Sequence, residues 1–370
     1  MDNVVIIGGG LSGLMVAYYM EEAGVDWVLV EARPRYGGRI YTTSSQPPID
    51  LGPTWFWEEH QRVRWWADKL GLAVFEQTQR GKAMFQPEVG GRVMPFQLDW
   101  QEPIAYRLEG GMGGFVTRLV ERLPTERIML GTVVEKVVMG ADGLSVVTNK
   151  GVYGGKIVFN SLPPQLAART IKYKPDLPMV VYEALTHCPT WMGNGMKVGL
   201  AYRRPFWREK GLSGYAIAHG GPVNQFQDAS PAEAGRGGAL FGWIGDYNRV
   251  RTLAAEERER LIVAQAVQLF GALAQDYVGY YECNWGREVY TAVPGTAPVA
   301  ADGQATHGHP LLQAPVYTEN GGGMYFISTE TAKEHGGYLE GAIRRVEQVV
   351  GEVIRASRKR VWWGGGLGGR

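Results

Sequence analysis

The chain opens on an unbroken apolar run, Val4, Val5, Ile6 and Ile7, with no polar residue to give it a wet face. Four β-branched residues in a row predict a parallel strand covered on both sides. A helical period then takes over across residues 11–23 and is stopped by Gly24, and a second apolar run at 27–30 ends in Glu31. Further along, residues 130–138 and 144–147 alternate as a pair of strands around Asp142 and Gly143, and residues 156–159 predict a strand that stops before Pro163 and Pro164. Helical spacing returns over 256–273. Near the end, Leu339, Ile343, Val346, Val350 and Ile354 recur every three or four positions and form one apolar stripe. Glycine clusters at 90–91, 110–114 and 235–238 read as loops, residues 362–370 are mostly glycine, and 357–370 are expected as a flexible tail.

Strand, helix and strand alternate at the N-terminus, and mixed elements follow. The expected fold is therefore α/β, a Rossmann-like domain with a smaller α+β domain interleaved in it. The expected bounds are 1–75, 108–186 and 288–356 for the first domain, and 76–107 and 187–287 for the second. A chain of 370 residues with 45% apolar content can bury such cores.

Charge narrows the partners. Lys and Arg number 38 against 37 Asp and Glu, so no overall field would draw the chain to nucleic acid or an anionic membrane. The only cysteines, Cys188 and Cys283, lack ligand or disulfide-framework spacing. His307 and His309 read as exposed loop residues, so no metal is expected. Arg344 and Arg345 are expected together on the solvent side of the last helix. No apolar stretch approaches the roughly 20 residues that span a bilayer, and the first motif begins too early to leave room for a secretory signal. A cytoplasmic protein working on small molecules is expected.

The turn after the first strand reads Gly8, Gly9, Gly10, Leu11, Ser12, Gly13. Gly8 permits the tight turn, Gly10 lets a pyrophosphate approach the backbone, and Gly13 lets the helix lie close to the sheet. The helix N-terminus, where Ser12 sits, suits a phosphate, and the Glu31 carboxylate can accept both ribose hydroxyls. A dinucleotide site follows from this strand, turn, helix and acid in order.

Directly after Glu31 come Ala32, Arg33, Pro34, Arg35, Tyr36, Gly37, Gly38 and Arg39. This run resembles the extended FAD signature of amine oxidases, carotenoid desaturases and protoporphyrinogen oxidases. Three later stretches narrow the resemblance to the flavin-containing amine oxidases: Gly193 to Lys197 followed by residues 204–208; Tyr325 to Ala332 followed by Gly337 to Ala342; and Val289 to Gly295. The resemblance implies that Arg39 meets the pyrophosphate, that Arg33 lies near the ribose, and that Gly38 and Gly52 let backbone approach the cofactor. It further implies that the Val134 backbone pairs with adenine, and that Glu330 and the backbone of Leu339 contact the flavin. Lys197 matches the family's flavin-facing lysine, Tyr290 and Tyr338 its two facing aromatic rings, and Trp285 would add a third wall.

The match also has gaps. Monoamine oxidases attach FAD through a cysteine where this chain has Val289, so a noncovalent flavin is expected. Only residues 76–107 stand where the family carries a long helical insert, so the pocket is expected to be more open or closed by a second subunit in a homodimer. The implied reaction is oxidative deamination of a small or aromatic amine. Hydride passes from the α-carbon of the neutral amine to the flavin, and molecular oxygen then takes the electrons to give hydrogen peroxide. Two other readings stay open. An L-amino acid oxidase would place a carboxylate-binding arginine where Trp55 stands, with Arg62 as a substitute. A flavoprotein acting as a maturation or binding partner would show no turnover.

Overall fold

The computed structural model describes residues 4–88, 90–98, 103–140, 143–233, 235–245, 248–293, 307–317 and 322–364, the side chains only as far as 355. The chain divides into two compact units: residues 1–38, 118–191 and 299–370 form the first, and residues 39–117 and 192–298 the second.

In the first unit the apolar run becomes the strand Val4–Ile7, at the centre of a five-stranded parallel sheet. The spatial order is Gly323–Phe326, Ile157–Asn160, Val4–Ile7, Trp27–Val30, Ile128–Met129. All four residues of Val4–Ile7 are buried, as a strand covered on both faces requires. The helix Leu11–Glu22 follows the glycine turn, and its Tyr19 hydroxyl reaches Glu347 on the last helix, Leu339–Gly364, at 3.1 Å. The expected strand pair forms as Val134–Gly140 and Gly143–Thr148, antiparallel with Val137 opposite Val146. Positions 141 and 142 of its turn lie outside the described residues.

The second unit is built on a seven-stranded sheet ordered Gly279–Asn284, Met196–Tyr202, Gly238–Ile244, Gln225–Asp228, Leu212–Ala218, Lys82–Gln86, Met94–Phe96. The strand Met196–Tyr202 alternates with period two. Met196, Val198, Leu200 and Tyr202 enter one core with Ile262, Ala266 and Leu269 of the helix Ala255–Phe270, while Lys197, Gly199 and Ala201 take the other face. That second face is covered too: Ile49 sits against Gly199, where a Cβ would come within 2.9 Å of it. Every residue of the strand is buried in consequence.

Three expectations change. Residues 39–75 and 108–117 belong to the second unit, because Ile49 and Leu51 pack with Phe241 and because Ala105–Leu108 pairs with both Phe56–Trp57 and Val74–Glu76. Residues 187–191 belong to the first unit, and 288–298 to the second. The last helix runs to Gly364, past the expected tail boundary, since Arg, Lys and Val between 358 and 361 offer no breaker before Gly364. Arg345 is 1% exposed, because helical geometry turns it onto the apolar stripe, away from its neighbour Arg344.

The two histidines are likewise not free loop residues: His307 lies 3.0 Å from the Pro189 carbonyl, and the His309 ring accepts from the Leu311 N–H. Among the described residues no helix is long and apolar enough to cross a membrane.

Candidate active site

Each glycine of the first turn has a distinct local reason. Gly8 has φ +99°, a backbone conformation that side chains rarely adopt, and a Cβ on Gly13 would lie 1.9 Å from the Gly8 carbonyl oxygen. Helix and turn therefore touch as only glycine permits. Gly10 caps the helix Leu11–Glu22 without any side-chain cap bond, and the first turn has no acidic residue. Its N–H groups and the positive end of its dipole are thus left to an anion, with Ser12 buried beside them.

The Glu31 carboxylate is 4% exposed and held at both oxygens, by the Gly9 N–H at 2.6 Å and the Arg33 N–H at 2.7 Å. Gly37 donates to the Gly9 carbonyl at 2.8 Å, and a Cβ on Gly38 would come within 3.1 Å of the Gly10 Cα. The second glycine pair therefore folds back over the first. Arg35 braces this return by donating to the carbonyls of Tyr36 and Gly38. Arg33 is buried, and Arg39, the first residue of the second unit, is half-buried. An anion cradle beside an oriented, buried carboxylate fits the pyrophosphate and ribose of FAD.

Elsewhere in the first unit, Val134 begins its strand, buried. Glu330 is fully buried in the turn Thr329–Thr331, and Thr329 donates to the Tyr338 carbonyl at 2.6 Å, which ties that turn to the start of the last helix at Leu339. Tyr338 is half-buried, its ring 6.1 Å from that of Trp191. A Cβ on Gly337 would strike Trp191 at 2.7 Å, so the glycine admits the tryptophan.

In the second unit Lys197 is wholly buried. Its Nζ donates to the Gly52 carbonyl at 3.1 Å and to Thr54 Oγ1, and lies 3.9 Å from the centre of the Phe241 ring and 5.0 Å from that of Trp243. The register explains the rings: Trp243 is directly opposite Lys197, and Phe241 is opposite Gly199. Gly52 in turn approaches the Arg39 backbone, where a Cβ would lie 2.1 Å from the carbonyl oxygen. Trp285 is 5% exposed and donates to the Leu51 carbonyl at 2.8 Å, so it braces the segment from which Lys197 takes its acceptors. Tyr290 is half-buried in the same unit.

Two buried charges accompany the lysine. Asp50 is 3% exposed, and its Oδ1 accepts from Thr42 at 2.5 Å and from the Met112 N–H at 3.0 Å. Arg107 is 5% exposed and donates to the Ser230 and Ala229 carbonyls at 2.9 and 2.7 Å, while its buried Nε has no partner. Burial pushes the Lys197 pKa down to about 7; the field of Asp50 opposes this and that of Arg107 adds to it. Burial raises the Asp50 carboxyl and lowers Arg107 for the same reason.

Sequence reasoning missed Asp50, Thr54, Arg107 and Trp191. Asp50 had one legible signal. It stands directly before the Leu51-Gly52 pair, and the glycine cluster at 110–114, read as a plain loop, wraps it: a Cβ on Gly111 would lie 2.8 Å from Asp50 Oδ1. The amino acid reading fares less well here. Trp55 donates to Gln77 Oε1 at 3.1 Å and packs on Phe241, and the Arg62 guanidinium lies 4.4 Å from the centre of the Trp65 ring.

A Rossmann-type anion cradle in one unit and a buried, aromatic-boxed lysine in the other define an FAD-dependent oxidoreductase. The sequence profile of the flavin-containing amine oxidoreductases matches residues 84–354, and that of an NAD(P)-binding Rossmann-like domain matches residues 6–70. The chain belongs to the flavin-containing amine oxidoreductase family, whose members act on amines with FAD. It is 25% identical to amine oxidase [flavin-containing] B of Sus scrofa over 96% of this chain and 87% of the relative. It is 30% identical to an L-amino acid dehydrogenase of Synechocystis over 69% of this chain and 52% of that relative. A putrescine oxidase structure with putrescine bound has the same fold, with a TM-score of 0.81 at 22% identity over 96% of this chain and 99% of the other.

Proposed function

We propose that this protein oxidatively deaminates a small or aromatic amine, with noncovalently held FAD and molecular oxygen as acceptor, releasing hydrogen peroxide. FAD, when bound, takes the hydride equivalent from the α-carbon of the amine and passes the electrons to oxygen. The first unit's part is binding: the helix N-terminus and Gly10 receive the pyrophosphate, Glu31 the ribose, and Glu330 and the Leu339 backbone the flavin end.

The observation that carries this reading is the lysine. An ammonium has three N–H bonds, of which Gly52 and Thr54 take two, and the third would serve a water beside the flavin. With its pKa brought to about 7, Lys197 can keep or release a proton at Nζ near neutral pH. Its charge would favour negative charge developing as oxygen is reduced. Tyr338 in the first unit and Tyr290 in the second are half-buried rings, each able to exclude water from an amine held beside it. An amine there loses hydration, its neutral form is favoured, and the nitrogen lone pair becomes available to assist loss of hydride.

An amino acid substrate would need a cation for its carboxylate. The likeness to an L-amino acid dehydrogenase raises that reading. Against it, Trp55 stands at the clamp position, and Arg107 is buried and held by two main-chain carbonyls. Two cysteines without disulfide-framework spacing, Cys188 and Cys283, suit a reducing compartment, which supports a cytoplasmic enzyme.

The deciding experiment is anaerobic mixing of the purified yellow protein with primary amines, diamines and amino acids, followed by admission of air. Bleaching by amines and recovery with peroxide release are expected. Bleaching by amino acids alone would establish the second reading, and no bleaching by any compound would leave a flavoprotein without turnover.

A further inference from the structure

Lys197 shares its buried surroundings with two charges, Asp50 and Arg107, and the carboxylate is closely held. Asp50 is 3% exposed; Thr42 and the Met112 N–H both aim at Oδ1; and Gly111, at φ +87°, has no room for a Cβ beside that oxygen. Burying a carboxylate is costly unless hydrogen bonds and opposite charge offset the lost hydration, and at Asp50 Thr42, the Met112 N–H, Lys197 and Arg107 all act in that direction. Only two residues away, the Gly52 carbonyl holds Nζ of Lys197.

We propose that Asp50 is a positioning residue for amine oxidation: a buried counter-charge that keeps the Lys197 side chain an ammonium against the opposing field of Arg107. The proposal rests on the reading of Lys197 as the residue that serves the flavin. Among the described residues, Asp50 is the carboxylate whose field acts on the lysine. Arg107 is faced by Asp50, Asp228, Glu109 and Arg208. Asp228 is taken up by Trp207, Arg208 and the Ser230 N–H. On the neighbouring strand Cys283 is opposite Lys197, while Glu282 is opposite Val198 and is bound to Arg258 and Tyr280. Without Asp50, burial and Arg107 act on the lysine unopposed, and it loses its proton at lower pH.

Asp50→Asn tests this, because the amide oxygen can still accept from Thr42 and Met112. Two quantities are followed against pH in the purified flavoprotein: the rate of flavin reoxidation by oxygen and the melting temperature. The lysine's folded pKa, about 7, lies below its ordinary value of 10.5. Between those values the unfolded chain binds more protons, so the lysine's contribution makes stability rise with pH across that window.

In Asp50→Asn both the fall in reoxidation rate and the onset of this rise should move to lower pH, by about one unit. Thr42→Val, which withdraws the hydroxyl that favours the Asp50 carboxylate, should shift them the same way by less, and covers the case in which the Asn variant does not fold. In a Lys197→Met background neither substitution should shift the reoxidation profile, whereas the melting profile keeps what Asp50 contributes through its own raised pKa. Unchanged profiles with the lysine present, or a reoxidation shift that persists without it, would overturn the proposal. If Lys197→Met reoxidises like the wild type while the melting profiles still shift, the coupling holds and the flavin role of Lys197 fails.

Discussion

Lys197 shows how little a residue type says without its setting. A lysine in a strand is ordinarily a solvated residue, yet here the strand is covered on both faces and the amine is held by Gly52 and Thr54 beside two aromatic rings. Replacing it by Met keeps the volume and removes the charge. Lys197→Met should slow flavin reoxidation about a hundredfold, the scale of losing one buried electrostatic group, with little change in the rate of reduction by amine. Stopped-flow measurement of the two half-reactions separates these, and an unchanged oxidative half-reaction would refute the assigned role.

At the scale of elements, close approach of backbone does the work at both ends of the first unit. The Leu11–Glu22 helix can lie on the glycine turn only while position 13 has no side chain. Gly13→Ala should therefore yield protein with almost no flavin per polypeptide, measured by absorbance. Gly24→Ala, where a Cβ meets nothing within 4 Å but φ is +63°, should cost only about 1 kcal/mol and keep its flavin.

The last helix is pinned by Arg345, whose guanidinium donates to the carbonyls of Leu312, Gln313 and Phe326 and whose pKa burial lowers to about 10. Arg345→Ala removes those bonds and leaves the Phe326 carbonyl with the Thr331 hydroxyl, at 3.2 Å. It should destabilise the protein by roughly 2–4 kcal/mol in urea unfolding; a shift under 0.5 kcal/mol would show the contacts to be idle.

For the whole molecule, the position that links flavin covalently in monoamine oxidases is held by Val289, which has no thiol and is 62% exposed. Acid precipitation should leave a colourless pellet and put all the flavin in the supernatant. Yellow colour retained in the pellet would contradict noncovalent binding.

The dinucleotide end was legible from residues alone because its determinants are local: a buried strand, glycines with individual steric reasons, and an acid at the end of the next strand all lie within 31 positions. Lys197 could be picked out only by resemblance, since nothing in its own stretch distinguishes a buried amine from a wet one. The division into units was harder. Residues 39–57 follow the dinucleotide motif in sequence, yet Ile49 and Leu51 join the core beneath the lysine strand, a choice that no local pattern encodes. Arg107 was invisible for the same reason, and the one signal of Asp50, its place before Leu51 and Gly52, did not reveal its burial. A charged residue beside a glycine turn or in a short strand looks solvated until distant segments close over it, and burial, the property that perturbs both groups, exists only once the chain has folded.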